Sequence, residues 1–296
     1  MKITILSLAE GLIDLLNRLG GRANRGWRLL VLGSLEMVLG SRHPLLAGSL
    51  VRLAEDHIDD EKYVLAETLL KRVVRIQKSH FPEDHPRVAD SLSRLAGLYT
   101  RVGYFRNAEP LYFQALKIRA KVFGLEHRKV ADILGDLGAL YKARGEYKEA
   151  ESFYHKCRNM REKILGADHA DVTATLDAMA QLYYDKGEFD QAAHLFQRIL
   201  KIQERTLGRN DPALSKSLNN LAVVYVAQED YARAEPLYIR AGKICERAWG
   251  PGHPDVVKTL NNLATLYKTM GETGKAGPVV DKVQEIQKKS LSAVAR

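Results

Sequence analysis

Residues 211–252 read DPALSKSLNNLAVVYVAQEDYARAEPLYIRAGKICERAWGPG, and most of the remaining sequence is a set of variations on them. Sliding the chain by 42 residues brings Leu221 into register with Leu53, Leu95, Leu137, Met179 and Leu263, and Ala234 with Ala66, Ala108, Ala150, Ala192 and Ala276, six copies in all. A period between about 20 and 50 residues signals a stacked repeat, because so short a unit cannot cover its apolar face without neighbours. Leu218, Leu221, Ala222 and Tyr225 are spaced i, i+3, i+4, i+7, the stripe of an amphipathic first helix. A second helix starts near Tyr231 and presents Ala234, Tyr238 and Ala241. Small residues at Ala222, Ala234 and Ala241 let two backbones approach, and the tyrosines fill the space between turns.

The punctuation agrees. The turn inside the pair carries Gly103, Gly145 and Gly187, where a left-handed backbone suits a residue without Cβ. Between pairs run connectors such as Leu165-Gly166-Ala167-Asp168-His169 and Trp249-Gly250-Pro251-Gly252-His253-Pro254, with glycine past one helix end and proline at the start of the next. The expected fold is all-α, a solenoid of stacked antiparallel helix pairs, with units at 43–84, 85–126, 127–168, 169–210, 211–252 and 253–294. Residues 1–42 read as a degenerate N-terminal cap. Segments 5–19 and 27–39 keep helical periodicity but lack the tyrosines and small residues of the other units. Lys2, Arg18, Arg22, Arg25, Arg28 and Arg42 against three acids make this segment basic, so a second docking surface, for a partner or a membrane face, is the alternative.

Composition narrows the function. The chain of 296 residues carries a net charge of +9, but its basic residues are interleaved with 36 acids and form no run of five, which suits a solvated helical surface better than a nucleic-acid footprint. No stretch of about 18 uncharged apolar residues offers a membrane-spanning helix, and Glu10 and Asp14 interrupt what could pass for a signal peptide at the start. Cys157 and Cys245 stand far apart, which points to a reducing, cytoplasmic compartment. His43, His85, His127, His169 and His253 recur one period apart, with Asp211 in the remaining place. They suggest a metal array until distances are considered. Successive connectors lie about 10 Å apart, whereas ligands of one ion sit about 2 Å from it, so no metal is expected. There is no phosphate-binding glycine loop, no His-Glu-x-x-His, no Cys-x-x-Cys and no Gly-x-Ser-x-Gly. Cys157 takes the place of Ala241 on a packed face. Neither a catalytic residue nor a cofactor is expected.

The pattern Leu-Ala-x-x-Tyr, Gly-x-Tyr, Ala-x-x-x-Tyr-x-x-Ala resembles the tetratricopeptide repeat. The 42-residue period, with HPDVVKTLNNLATLY at 253–267 and AEPLYIRA at 234–241, is similar to the branch found in kinesin light chains, over about residues 43–294. The resemblance implies a right-handed superhelix whose first helices line a concave groove, and a scaffold that binds other proteins. The last unit departs from the pattern. Thr273 and Val280 replace its two tyrosines, and Gly274 and Gly277 weaken the start of its second helix.

If the stripe 218/221/222/225 faces the stack, Lys216, Asn219, Asn220, Val223, Val226 and Ala227 turn toward the groove. Equivalent positions in the first four units include Arg52, Glu55, Asp59, Asp90, Arg94, Arg101, Asp132, Asp136, Lys142, Asp177 and Asp185, a mixed surface rich in acid. The last two units give Lys216, Asn219, Asn220, Val223, Lys258, Asn261, Asn262 and Lys268, with no acid. Asparagine amides can pair with an extended peptide backbone and lysines with carboxylates. The i, i+4 pairs Lys216/Asn220 and Lys258/Asn262 resemble part of the carboxylate clamp of chaperone-linked tetratricopeptide domains. The third unit of such a clamp, which would bring a lysine and an arginine, has no counterpart in this sequence. Alternatively, the asparagines bond the adjacent helix. The expected partner is an acidic or C-terminal peptide segment of a protein. Acids along four units would repel phosphate and disfavour RNA, and a regulatory module acting on a separate effector is the other class of role.

Overall fold

The computed structural model describes residues 25–294 and Gly11. The helix expected at 5–19, Gly11 apart, and the charges of Lys2, Arg18 and Arg22 lie outside the described residues. Thirteen helices follow in order among them: α1 (Arg25–Leu39), α2 (Leu46–Asp59), α3 (Tyr63–His80), α4 (Pro86–Arg101), α5 (Phe105–Phe123), α6 (Arg128–Arg144), α7 (Tyr147–Leu165), α8 (Ala170–Asp185), α9 (Phe189–Thr206), α10 (Leu214–Ala227), α11 (Tyr231–Trp249), α12 (Pro254–Thr269) and α13 (Thr273–Val294). No strand occurs among the described residues. The chain divides into two compact units, residues 1–160 and 161–296. In each, helices pack on their neighbours in the chain, the arrangement of stacked antiparallel pairs.

The packing explains the period. In the second unit Leu214 and Leu218 of α10 meet Ala241 and Ile244 of α11 on one side and Leu200 of α9 on the other. In the first, Val130, Ala131 and Leu134 of α6 are held between Leu116 and Ala120 of α5 and Cys157 and Phe153 of α7. The N-terminal cluster repeats the motif with Leu35 of α1, Leu46 and Leu50 of α2 and Ile76 of α3. Each fully buried leucine is worth about 1.5–3 kcal/mol, and a first helix obtains that only with a second helix on both flanks. Cys157 and Cys245 are both fully buried, so they are packing residues. In α13, Ala276, Val283 and Ile286 are buried despite the two glycines of its first turns.

The turn glycines do what their positions require: Gly103, Gly145, Gly187 and Gly271 have φ between +73° and +82°. Glu61 and Glu229 hold the same left-handed conformation at φ 60° and 59°, which a residue with Cβ adopts at a penalty. The recurring histidine is a helix cap. The Nδ1 atoms of His85, His127, His169 and His253 accept the backbone N–H of Arg87, Lys129, Asp171 and Asp255 at 3.0–3.3 Å, and Asp211 Oδ1 accepts that of Ala213 at 2.8 Å. An accepting Nδ1 requires a neutral ring with its proton on Nε2. Three of these rings also lie against the aromatic residue that closes the preceding helix at centroid distances of 4.3–4.6 Å, stacked in Phe81–His85 and Phe123–His127 and tilted in Trp249–His253.

Consecutive pairs are also tied by tyrosine hydroxyls. Tyr99, Tyr141 and Tyr267 each donate to a glutamate of the preceding second helix, Glu67, Glu109 and Glu235, at 2.6–2.9 Å. Burial, reinforced by the acceptor carboxylate, pushes Tyr141 and Tyr267 up to about 12, so both remain donors at any physiological pH.

Two outcomes test this account. Replacing His169 with alanine removes an N-cap and should lower stability by about 1 kcal/mol, while His169→Asn should restore most of it, read from urea midpoints. Gly138 stands where the other units have a buried alanine, so consensus and helix propensity would favour Gly138→Ala by about 1 kcal/mol. A Cβ there would lie 2.6 Å from the ring of the buried Tyr154, and the substitution should instead destabilise by about 1–3 kcal/mol.

Candidate functional site

Packing on three sides leaves each first helix one strip, which in α10 holds Lys216, Asn219, Asn220, Val223, Val226 and Ala227. Lys216 is exposed and the others are half-buried. The strip is not free of internal partners. Lys216 Nζ lies 3.2 Å from Asp177 Oδ2 of α8, and Asn220 Nδ2 donates to Asp177 Oδ1 at 3.3 Å. Gln181 Nε2, one turn along α8, donates to the same carboxylate at 2.8 Å. The lysine/asparagine pair at i, i+4 therefore seats a carboxylate, and the carboxylate is the chain's own.

Asn219 has a different task. Its Nδ2 donates to Ser215 O at 3.0 Å and to Thr259 Oγ1 of α12 at 2.9 Å, bridging two first helices. The Thr259 hydroxyl in turn donates to Asp255 O at 2.8 Å, so it is oriented to accept from the amide. Asn219 thus bonds the adjacent helix.

Moving one unit on, the same spacing recurs in α12 with a different outcome. Lys258 and Lys268 are exposed and Asn262 is half-buried, and their side chains have no hydrogen bond or ion pair among the described residues. The residue that would correspond to Asp177 here is Asn219, which is engaged with Thr259 and carries no charge. Asn261 is exposed, and only its backbone carbonyl is engaged, by Thr265 Oγ1 at 2.9 Å. The structure therefore separates the eight sequence-selected residues. Lys216 and Asn220 share Asp177, Asn219 is a bridge, Lys258, Asn262 and Lys268 stand open on α12, and Val223 is half-buried on α10.

In the first compact unit two of these acids are paired with arginines. Arg94 Nη1 is 2.6 Å from Glu55 Oε1, and Arg119 Nη2 is 2.7 Å from Asp90 Oδ1. A cavity of about 440 Å³ opens over Gly48, Val51, Arg52, Glu55, Gln77 and Arg94. Its cations outnumber its acids once these pairs are formed.

Sequence reasoning missed the polar residues beneath this strip. Gln77, Arg119, Arg161 and Gln203 recur at one position of the second helix, on an otherwise apolar face. Arg119 is 7% exposed and donates through Nη1 to Lys129 O at 2.8 Å, and Arg161 donates to Asp171 O and Thr175 Oγ1 at 3.0 and 2.9 Å. They satisfy backbone carbonyls at the start of the next first helix. The available signal was the 42-residue recurrence of long polar side chains where leucine or alanine would pack.

A family model for the tetratricopeptide repeat matches residues 45–121, 87–163, 129–205, 171–247 and 213–289. None of the curated proteins is similar to the chain in sequence. Among solved structures, BtubC (BKLC) from P. vanneervenii superposes with a TM-score of 0.65 at 25% identity, over 78% of this chain and 91% of that one. A putative kinesin light chain with nearly identical TPR-like repeats from Podosopora anserina gives 0.62 at 26% identity, over 70% and 98%. The structure of pilF from Pseudomonas aeruginosa gives 0.52 at 15% identity, over 82% and 97%, a likeness of fold alone.

Removing the internal carboxylate should be nearly neutral for folding. Asp177→Ala is expected to change stability by less than about 1 kcal/mol, because its lysine partner is 70% exposed and screened by water. A urea denaturation midpoint compared with wild type reads this directly.

Proposed function

Because the chain belongs to the tetratricopeptide repeat family, we propose that it is a protein-binding scaffold that holds an acidic or C-terminal peptide segment along the first-helix strip of α10 and α12. In this reading residues 43–294 act as six units behind an N-terminal cap, in the cytoplasm and without catalysis or cofactor. Lys258 and Lys268 supply charge to the peptide's carboxylates, and Asn262 supplies an amide to its backbone. Val223, half-buried on α10, offers a small apolar contact, and the exposed Asn261 offers a second amide.

One observation carries the reading. Lys216 and Asn220 hold the carboxylate of Asp177 at 3.2 and 3.3 Å, and Lys258 and Asn262 repeat that pair with no carboxylate upon it among the described residues. The protein's own aspartate serves as a template for the ligand. A lysine already paired internally must exchange one partner for another and gains little, whereas an unpaired lysine contributes a full charge-assisted bond, about 1.5–3 kcal/mol before solvent screening. The weight of binding therefore falls on α12.

A fluorescein-labelled peptide ending in consecutive aspartate and glutamate residues is a suitable probe in anisotropy titrations. Lys258→Glu with Lys268→Glu should weaken it at least about tenfold with the helical circular dichroism unchanged. Asp177→Ala should strengthen it, by releasing Lys216 and Asn220. Undiminished binding in the charge-reversed variant would remove the reading.

A further inference from the structure

A second cavity lies away from the first-helix strip, where the connector before α2 meets α3. It has a volume of about 350 Å³ and is lined by Ser41, Arg42, Arg72, Arg75, Ile76 and Ser79. Its chemistry is clearest against the chain's own repetition. Three later second helices carry an ion pair at the position of Arg72: Arg198–Glu162, Arg240–Glu204 and Lys282–Glu246. The first keeps it, with Arg72 Nη1 2.7 Å from Glu36 Oε1. The neighbouring pair is not kept. At the connector position of Arg42 the next three units have Asp84, Glu126 and Asp168, and at the position of Ser79 they have Lys121, Lys163 and Arg205. Lys121 bonds Asp84, and Arg205 bonds Asp168. In the first unit the acid has become an arginine and the long base a serine.

Two consequences follow from that double change. Loss of the long side chain at position 79 leaves room, and loss of the acid at position 42 leaves charge. Arg42 and Arg75 are exposed and have no acidic partner among the described residues. Arg72 is held in place, since its Nη2 also donates to Ser41 O at 2.7 Å. The Ser79 hydroxyl donates to Ile76 O at 3.0 Å, so its contribution is its small size, while the Ser41 hydroxyl has no bond among the described residues. Three guanidinium groups and one hydroxyl line a recess floored by the buried Ile76, and among the described residues Glu36 is the one acid paired with them.

We propose that this recess binds a phosphate monoester, specifically the phosphorylated serine or threonine side chain of a protein partner. A carboxylate would leave one of the two uncompensated guanidinium charges unmet, whereas a phosphate monoester carries about −1.5 to −2 at neutral pH. Its three acceptor oxygens can be reached by donors from several directions, and guanidinium forks match them. The volume accommodates the phosphate together with the side chain that bears it. The recess calls for a protruding group, as at the tip of a partner's loop, more than for the flat surface of a bilayer. This site is independent of the acidic-peptide reading of α12.

The full-length chain is titrated with a labelled Ala-phosphoserine-Ala peptide, with its unphosphorylated twin, and with vesicles containing phosphatidic acid. The phosphopeptide should bind saturably and at least tenfold more tightly than its twin. Arg42→Asp with Ser79→Lys, which installs the pair seen at Asp84 and Lys121, should abolish that preference while retaining the thermal midpoint. Arg75→Gln, at an exposed position, is the second variant and should weaken the phosphopeptide several-fold. Equal affinity for the two peptides, or phosphopeptide binding untouched by both variants, would overturn the proposal. Binding to the vesicles without the phosphopeptide would overturn it as well, and would give the recess to a lipid headgroup.

Discussion

A first helix such as α10 has apolar side chains on too many sides for one partner to cover. Leu214 and Leu218 need α9 and α11 together, as Val130 and Leu134 need α5 and α7. From this requirement the rest follows. The unit must repeat at a constant length so that each second helix meets the next first helix in the same register, and small residues must recur where backbones come closest. Only one strip of each first helix is left for anything else. Function in such a chain is written on few positions per unit, and each is read against the equivalent positions of its neighbours.

Polar residues obey the same periodicity, and most of them prove structural. A helix beginning leaves backbone N–H groups without partners, and each connector supplies one acceptor, a histidine Nδ1 or the carboxylate of Asp211. Tyrosine hydroxyls find glutamates one pair back, and the arginines Arg119 and Arg161 find carbonyls one pair on. An array of histidines that looks like metal chemistry in the sequence is thus a series of helix caps. Two connectors reach the same end by different residues, which shows that the requirement is an acceptor two residues before a backbone N–H, and that the imidazole itself is one way to meet it.

Charge is apportioned by the same neighbour relations. Counting formal charges along the first helices suggests an acidic half and a basic half, yet Glu55 and Asp90 are consumed by Arg94 and Arg119, and Lys216 by Asp177. What a partner meets is the remainder after such pairing. That remainder includes the lysine–asparagine set on α12 and the arginines beside α3 that we propose as binding sites. In both places a pair formed in one unit is not formed in another.

The sequence by itself determined the helix pairs, their period, the turn glycines and the buried role of Cys157, because each is a local or strictly recurring demand that hydrophobic spacing and backbone conformation express directly. It also selected the strip that carries Lys216 to Lys268. Which members of that strip are spent internally was decided only by tertiary structure. Asp177 reaches Lys216 from 39 residues away, and Asn219 reaches Thr259 from 40. Those separations fall just short of the 42-residue period, so each pairing joins side chains of neighbouring units whose meeting depends on how far the two first helices are offset. A pattern of single residues does not encode that offset. The contact of the Tyr154 ring with Gly138 is likewise one between helices that spacing along the chain cannot register.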